Sequence, residues 1–96
     1  MGEYEFGKVS CVIPTFKRSD TLVRAVTSVL NQNYKNIEVI VVDDNNPNDE
    51  YSVETQRKLK NIKDSRLIYI QQKQHINGAV ARNVGIQEAT GEYIAF

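Results

Sequence analysis

Net charge is missing from this 96-residue chain, because twelve lysines and arginines balance twelve aspartates and glutamates. Without a basic excess there is no electrostatic footprint for nucleic acid, and that class of partner is set aside. Cysteine is nearly missing too. The one thiol, Cys11, excludes a disulfide framework; lying in the apolar run VSCVIP, it reads as a buried structural side chain in a reducing, cytoplasmic setting. No apolar run approaches the ~20 residues that span a bilayer. The amino terminus MGEYEFGKVS has no basic region followed by an apolar core, so nothing in this stretch is a signal. Glycine-rich phosphate loops are also lacking. Where a dinucleotide-binding dehydrogenase carries G-x-G-x-x-G after its first strand, this chain has PTFKRSD, and Gly78 and Gly85 do not supply the pattern. A Walker-type loop is equally absent.

What is present is ordinary globular material, 41% apolar and 25% charged, enough for one small domain. Its organising stretch is IEVIVVDDN, Ile37 to Asn45. The apolar residues run without alternation from Val39 to Val42, as in a strand covered on both faces of a parallel sheet. Asp43 and Asp44 then stand where that strand opens into a loop, and in open α/β sheets this edge is where ligands bind.

Before it, Met1 to Gly7 have no period and read as a loose leader. Lys8 to Phe16 form a first strand that Pro14 ends, since proline brings no amide hydrogen to a ladder. Ser19 or Asp20 offers a cap for a helix with a stripe at Leu22, Val26, Val29 and Leu30, ending near Asn31 to Asn33. After the second strand, a mostly polar segment carries a thin stripe of Tyr51, Thr55, Leu59 and Ile62, which predicts a peripheral helix. RLIYIQQ, Arg66 to Gln72, is a third strand. Asn77 can cap a third helix through Glu88 whose inner face is Ala81, Val84, Gly85 and Ala89, with Gly91 ending it in the left-handed position. GEYIAF then starts a fourth apolar strand at the end of the sequence, which reads as a truncated protein. The βαβαβαβ order implies right-handed crossovers and a parallel sheet.

With that topology three clusters converge on one edge: Pro14 to Arg18, Asp43 to Asn46, and the surroundings of Asn77, Arg82 and Asn83. An acidic pair at a strand end serves as often in caps and turns as in binding, and both readings of Asp43 and Asp44 stay open on spacing alone. A carboxylate there can accept hydrogen bonds from a base N–H or ribose hydroxyls, and nearby arginines can offset diphosphate charge. His75, a lone loop histidine, reads as solvated.

The segments VSCVIPTFKR, SVLNQ, IEVIVVDDN, NGAVARNVGI and ATGEYIAF, in this order, resemble the start of a family 2 glycosyltransferase of the GT-A type. The resemblance covers nearly everything after Gly7. It implies a Rossmann-like α/β fold with a parallel sheet in the order 3-2-1-4 and helices on both faces. Residues 8–96 would be the nucleotide-binding part of the domain, cut before the acidic DXD motif. It further implies that Pro14, Thr15 and Phe16 line the base and ribose pocket with Arg18 nearby, and that Asp44 takes a uracil imide. Asp43 would shape the loop, while Asn77, Arg82 and Asn83 would belong to the diphosphate side. The donor would be a nucleotide-diphospho-sugar, a UDP-sugar, and the acceptor a glycan or lipid-linked glycan. The setting would be polysaccharide or glycoconjugate biosynthesis in the cytoplasm, at the inner face of the membrane through other parts of the parent. Mg²⁺ or Mn²⁺ would serve the parent, with none bound by these 96 residues. No catalytic residue and no metal ligand is assigned within them, and the unfinished sheet edge predicts self-association.

Two other readings compete. A receiver-like signalling module should carry its acid pair after the first strand and a phosphoacceptor aspartate after the third, where RLIYIQQ ends in glutamines. A non-catalytic nucleotide-binding module stays open for the 96 residues as they stand.

Overall fold

A computed structural model describes residues 5–96. Seven elements follow in the order β1 (Glu5–Thr15), α1 (Ser19–Leu30), β2 (Ile37–Asp43), α2 (Glu50–Leu59), β3 (Leu67–Gln71), α3 (Gly78–Glu88) and β4 (Gly91–Ala95). All strand pairs are parallel, and the sheet order is β3-β2-β1-β4, as expected.

Central position explains the composition of β2. Each of its seven residues is buried, and Val39, Ile40, Val41 and Val42 are fully so. At roughly 1.5–3 kcal/mol per buried aliphatic side chain, this strand is a main source of stabilisation. Alternate residues face opposite layers. Ile37, Val39 and Val41 pack with Leu22, Val26 and Leu30 of α1 and Leu59 of α2. Ile40 and Val42 pack with Ala81 of α3 and with Ala89. Helices therefore cover both faces, α1 and α2 on one and α3 on the other.

A charge is buried in the same strand. Glu38 is 4% exposed, and burial alone would raise its pKa. The Ser10 hydroxyl donates to it at 2.5 Å and the Thr90 N–H at 2.7 Å, with Lys8 Nζ 3.6 Å away, and together these hold the carboxyl below its usual range. The result ties β1, β2 and the start of β4 together at the amino edge.

Several expectations are corrected. Glu5 to Gly7 belong to β1 rather than to a leader, of which Met1 to Tyr4 lie outside the described residues. Gly7 has φ 77° where the pairing with β4 shifts register between Glu5 and Val9, a conformation that suits glycine. Pro14 does not end β1, since it pairs with Val42 and Thr15 with Asp43. Val9 N–H donates to Asn36 O and Thr15 O accepts from Asp44, so backbone groups at odd positions serve β2. Pro14 therefore turns its missing N–H toward the other edge, where paired residues reach only to Cys11. Neither Ser19 nor Asp20 caps α1, whose N-cap is Arg18 without a side-chain hydrogen bond. In α2 the buried positions are Ser52, Thr55 and Leu59, with Tyr51 exposed. Gly91 has no left-handed φ and opens β4 instead. A Cβ on it would lie 2.7 Å from Lys8 O and 2.8 Å from Ser10 N, so close backbone approach requires glycine there. Cys11 is half-buried rather than fully so, and that burial raises its pKa. Among the described residues, no helix is long and apolar enough to cross a membrane.

Candidate functional site

The carboxyl ends of three strands meet at one edge. Thr15 lies opposite Asp43, Asp44 N–H donates to Thr15 O at 2.9 Å, and Gln71 of β3 lies opposite Asp43 on the other side. The loops 16–18, 44–49 and 72–77 therefore start side by side.

Strand pleat sends the two aspartates in opposite directions. Asp43 is fully buried. Its Oδ1 accepts from the backbone N–H of Asn45 at 2.9 Å and its side-chain amide at 2.8 Å. Its Oδ2 accepts from Tyr69 Oη at 2.5 Å and Ser52 Oγ at 3.0 Å. Burial and this carboxylate raise the Tyr69 phenol, which stays a donor. Asn45, held by Asp43, in turn accepts from Lys17 N–H at 3.1 Å, fixing the neighbouring loop. Lys17 has φ 55°, a strained backbone for a residue with a side chain, and its ammonium lies 5.1 Å from the ring centroids of both Phe16 and Tyr51.

Asp44 faces a cleft of about 380 Å³. Pro14, Thr15, Phe16 and Arg18 line it from the end of β1, and His75, Gly78 and Arg82 from the loop after β3 and the start of α3. Asp44 is 2% exposed, yet its carboxylate is engaged from the cleft side. Ile76 N–H donates to Oδ1 at 3.2 Å, and His75 Nδ1 stands 2.9 Å from Oδ2 and 3.0 Å from the Asp44 carbonyl oxygen. Both neighbours of Nδ1 are acceptors, so Nδ1 carries a proton. The imidazole also stacks on Phe16, with centroids 4.0 Å apart and planes 21° from parallel. Thr15 Oγ1 is buried with no hydrogen-bond partner among the described residues. α3 presents its amino end to the same region: Gly78 lines the cleft and Asn77 caps the helix by accepting from Val80 N–H at 3.0 Å.

Of the residues singled out in the sequence, Pro14, Thr15, Phe16, Arg18, Asp44 and Arg82 share this cleft. Asp43 lies beneath it as a hydrogen-bond hub, Asn77 is spent on the helix cap, and Asn83 is exposed on α3 without lining the cleft. His75 is exposed, as expected, and in addition its ring stacks on Phe16 and meets Asp44. The signal that could have found it is the order 3-2-1-4: with β3 beside β2, four residues past Gln71 is within reach of Asp44. Among the described residues, no group of three or more His, Cys, Asp or Glu side chains could hold a metal ion. Asp43 is committed to its four donors.

The family model of Glycosyl transferase family 2 matches residues 10–96. The chain is 40% identical over 88 residues to the UDP-Glc:alpha-D-GlcNAc-diphosphoundecaprenol beta-1,3-glucosyltransferase WfaP of Escherichia coli, covering 92% of this chain and 33% of that protein. It is 37% identical over 90 residues to the GalNAc(5)-diNAcBac-PP-undecaprenol beta-1,3-glucosyltransferase of Campylobacter jejuni, covering 93% and 28%. Glycosyltransferase GlyA of Streptococcus pneumoniae is 30% identical over 89 residues, covering 93% and 12%. The chain thus spans about a third or less of the length of these curated relatives.

Proposed function

The chain belongs to glycosyl transferase family 2, and from that premise we propose that it is the nucleotide-binding part of an enzyme that transfers a sugar from a nucleotide-diphospho-sugar to an acceptor. The donor is a UDP-sugar and the acceptor a glycan or lipid-linked glycan. The observation that carries this reading is the convergence, in one cleft, of a desolvated carboxylate, an aromatic face and two guanidinium groups. Asp44 accepts the imide N–H of a pyrimidine and the Phe16 ring stacks on the base. Arg18, Arg82 and the positive end of α3 offset the diphosphate. Thr15 Oγ1, without a partner among the described residues, suits a ligand hydroxyl. Asp43 works one layer down, holding Asn45 and through it Lys17.

The names of the two glucosyltransferases, both acting on undecaprenol-linked substrates, support a place in polysaccharide or glycoconjugate assembly at the cytoplasmic face of a membrane. The metal that the family implies, Mg²⁺ or Mn²⁺, finds no set of ligands in the described residues.

Calorimetric titration with uridine diphosphate tests the base pocket. A hydrogen bond to a charged acceptor is worth about 1.5–3 kcal/mol, so Asp44→Ala should weaken binding by roughly one to two orders of magnitude. Equal affinity in the wild type and a folded Asp44→Ala protein would remove Asp44 from the site.

A further inference from the structure

His75 stands where the base should stand. Its planar ring lies on Phe16 at 4.0 Å, and its Nδ1–H points at Asp44 Oδ2 from 2.9 Å, the donor role a pyrimidine imide would play. We propose that His75 is a resident occupant of the base subsite, which a nucleotide must displace, so that this side chain sets the apparent affinity for the donor. The inference rests on the assignment of Asp44 and Phe16 to the base.

The imidazole lies where a base using both groups would lie. Asp44 is 2% exposed, and each of its oxygens already has a partner in the 75–76 loop, Oδ1 in Ile76 N–H and Oδ2 in His75 Nδ1. The Phe16 ring carries the imidazole in a stack and the Lys17 ammonium over it. A pyrimidine that used both the carboxylate and the ring would therefore collide with the imidazole unless His75 swung out. The loop allows that movement. His75 is 40% exposed in its side chain, and the backbone at 75 and 76 is anchored independently, His75 N–H to Asn46 Oδ1 at 2.7 Å and Ile76 N–H to Asp44 Oδ1. A side-chain rotation can empty the subsite while the main chain keeps its anchors. Without a ligand, the ring shields a carboxylate and an aromatic face that would otherwise be open to the cleft. The apparent dissociation constant is the intrinsic one divided by the fraction of molecules with the ring out.

The chain contains one histidine, so its ring protons are identified in a proton NMR spectrum without assignment. In the free protein they should be shifted upfield by the Phe16 ring current, and Phe16→Ala should abolish that shift. On addition of uridine diphosphate they should move toward the positions of a solvated histidine. In parallel, His75→Ala should bind uridine diphosphate about tenfold more tightly than wild type, the closed fraction having been removed. His75→Gln keeps a donor for Asp44 without the stack and should tighten binding by less; it also serves if alanine unsettles the loop. An affinity of His75→Ala equal to or below wild type, or a ring that stays shifted at saturation, overturns the proposal and makes His75 a wall of the pocket while the nucleotide assignment stands. Absence of binding by wild type and both variants overturns the nucleotide assignment and this inference with it.

Discussion

At the residue scale, the acidic pair at the end of β2 shows how one strand pleat divides two identical side chains between different tasks. Asp43 points into the layer of α2 and accepts four hydrogen bonds with no exposure to solvent, whereas Asp44 points at the cleft. Asp43→Asn keeps the shape and replaces one acceptor oxygen by an amide that cannot accept. Whichever way the amide turns, its N–H₂ confronts donors, either those of Asn45 or the hydroxyls of Tyr69 and Ser52. Each hydroxyl has another acceptor at hand in Gln71 Oε1, at 2.9 Å and 2.5 Å, which limits the damage. The substitution should cost about 2–4 kcal/mol of folding stability, the scale of leaving buried groups unsatisfied. Urea denaturation measures it. Asp44→Ala should cost far less stability and act on binding instead. If the two variants unfold at the same urea concentration, the division of labour drawn from the pleat is wrong.

At the element scale, α3 can lie close on the sheet because it offers small residues to it. A Cβ on Gly85 would clash with Val12 Cγ1 and stand 3.2 Å from Val12 Cγ2, and both residues are buried. Gly85→Ala should therefore destabilise by about 1–3 kcal/mol through overpacking, against the gain alanine would bring to an unhindered helix. Val12→Ala removes the two methyl groups that clash. The double variant should be more stable than the sum of the single effects predicts, by roughly 1 kcal/mol or more in a double-mutant cycle. Strict additivity would show that the helix relieves the clash by moving off the sheet. This face was legible in the sequence from the helical spacing of Ala81, Val84, Gly85 and Ala89, and β2 from its unbroken apolar run. What was not legible depended on neighbours. Pro14 stays in β1 only because its N side faces beyond the last paired residue of β4, and Gly91 opens a strand only because the backbone of β1 lies against it. Ser52 replaces Tyr51 on the inner stripe of α2 because Asp43 supplies a buried partner for its hydroxyl. In the cleft, Asp44, Phe16 and Arg82 were legible through motif resemblance, while His75 was hidden because its importance comes from strand order rather than from its own sequence context.

At the scale of the whole molecule, the sheet is asymmetric at its two sides. β3 and β4 are the two outer strands, but β3 is mostly half-buried, with Leu67 and Tyr69 packed against the core under α1 and α2, whereas β4 is exposed beyond Gly91, Tyr93 and Ile94 included, with Phe96 exposed after it. Phe6, at the start of the neighbouring β1, is 87% exposed as well. An outer strand rich in apolar side chains, whose outward backbone groups have no ladder partner among the described residues, is a template for another strand. In this 96-residue chain the simplest partner is a second copy, since β4 pairing with β4 about a two-fold axis satisfies both edges at once. We propose that the chain self-associates in this way. Sedimentation velocity should show a monomer giving way to larger species as concentration rises, and the shift should occur at about tenfold higher concentration in Tyr93→Lys, where a charge faces the edge. Tyr93 is 60% exposed, so the lysine is tolerated by the fold. The base cleft lies at the carboxyl edge, formed by the ends of β1 and β2 and by the segment from the end of β3 into α3. Association through β4 should therefore leave uridine diphosphate affinity unchanged between dilute and concentrated protein. A chain that stays monomeric at high concentration, or a Tyr93→Lys protein that associates as readily as wild type, would show that this edge is not the contact.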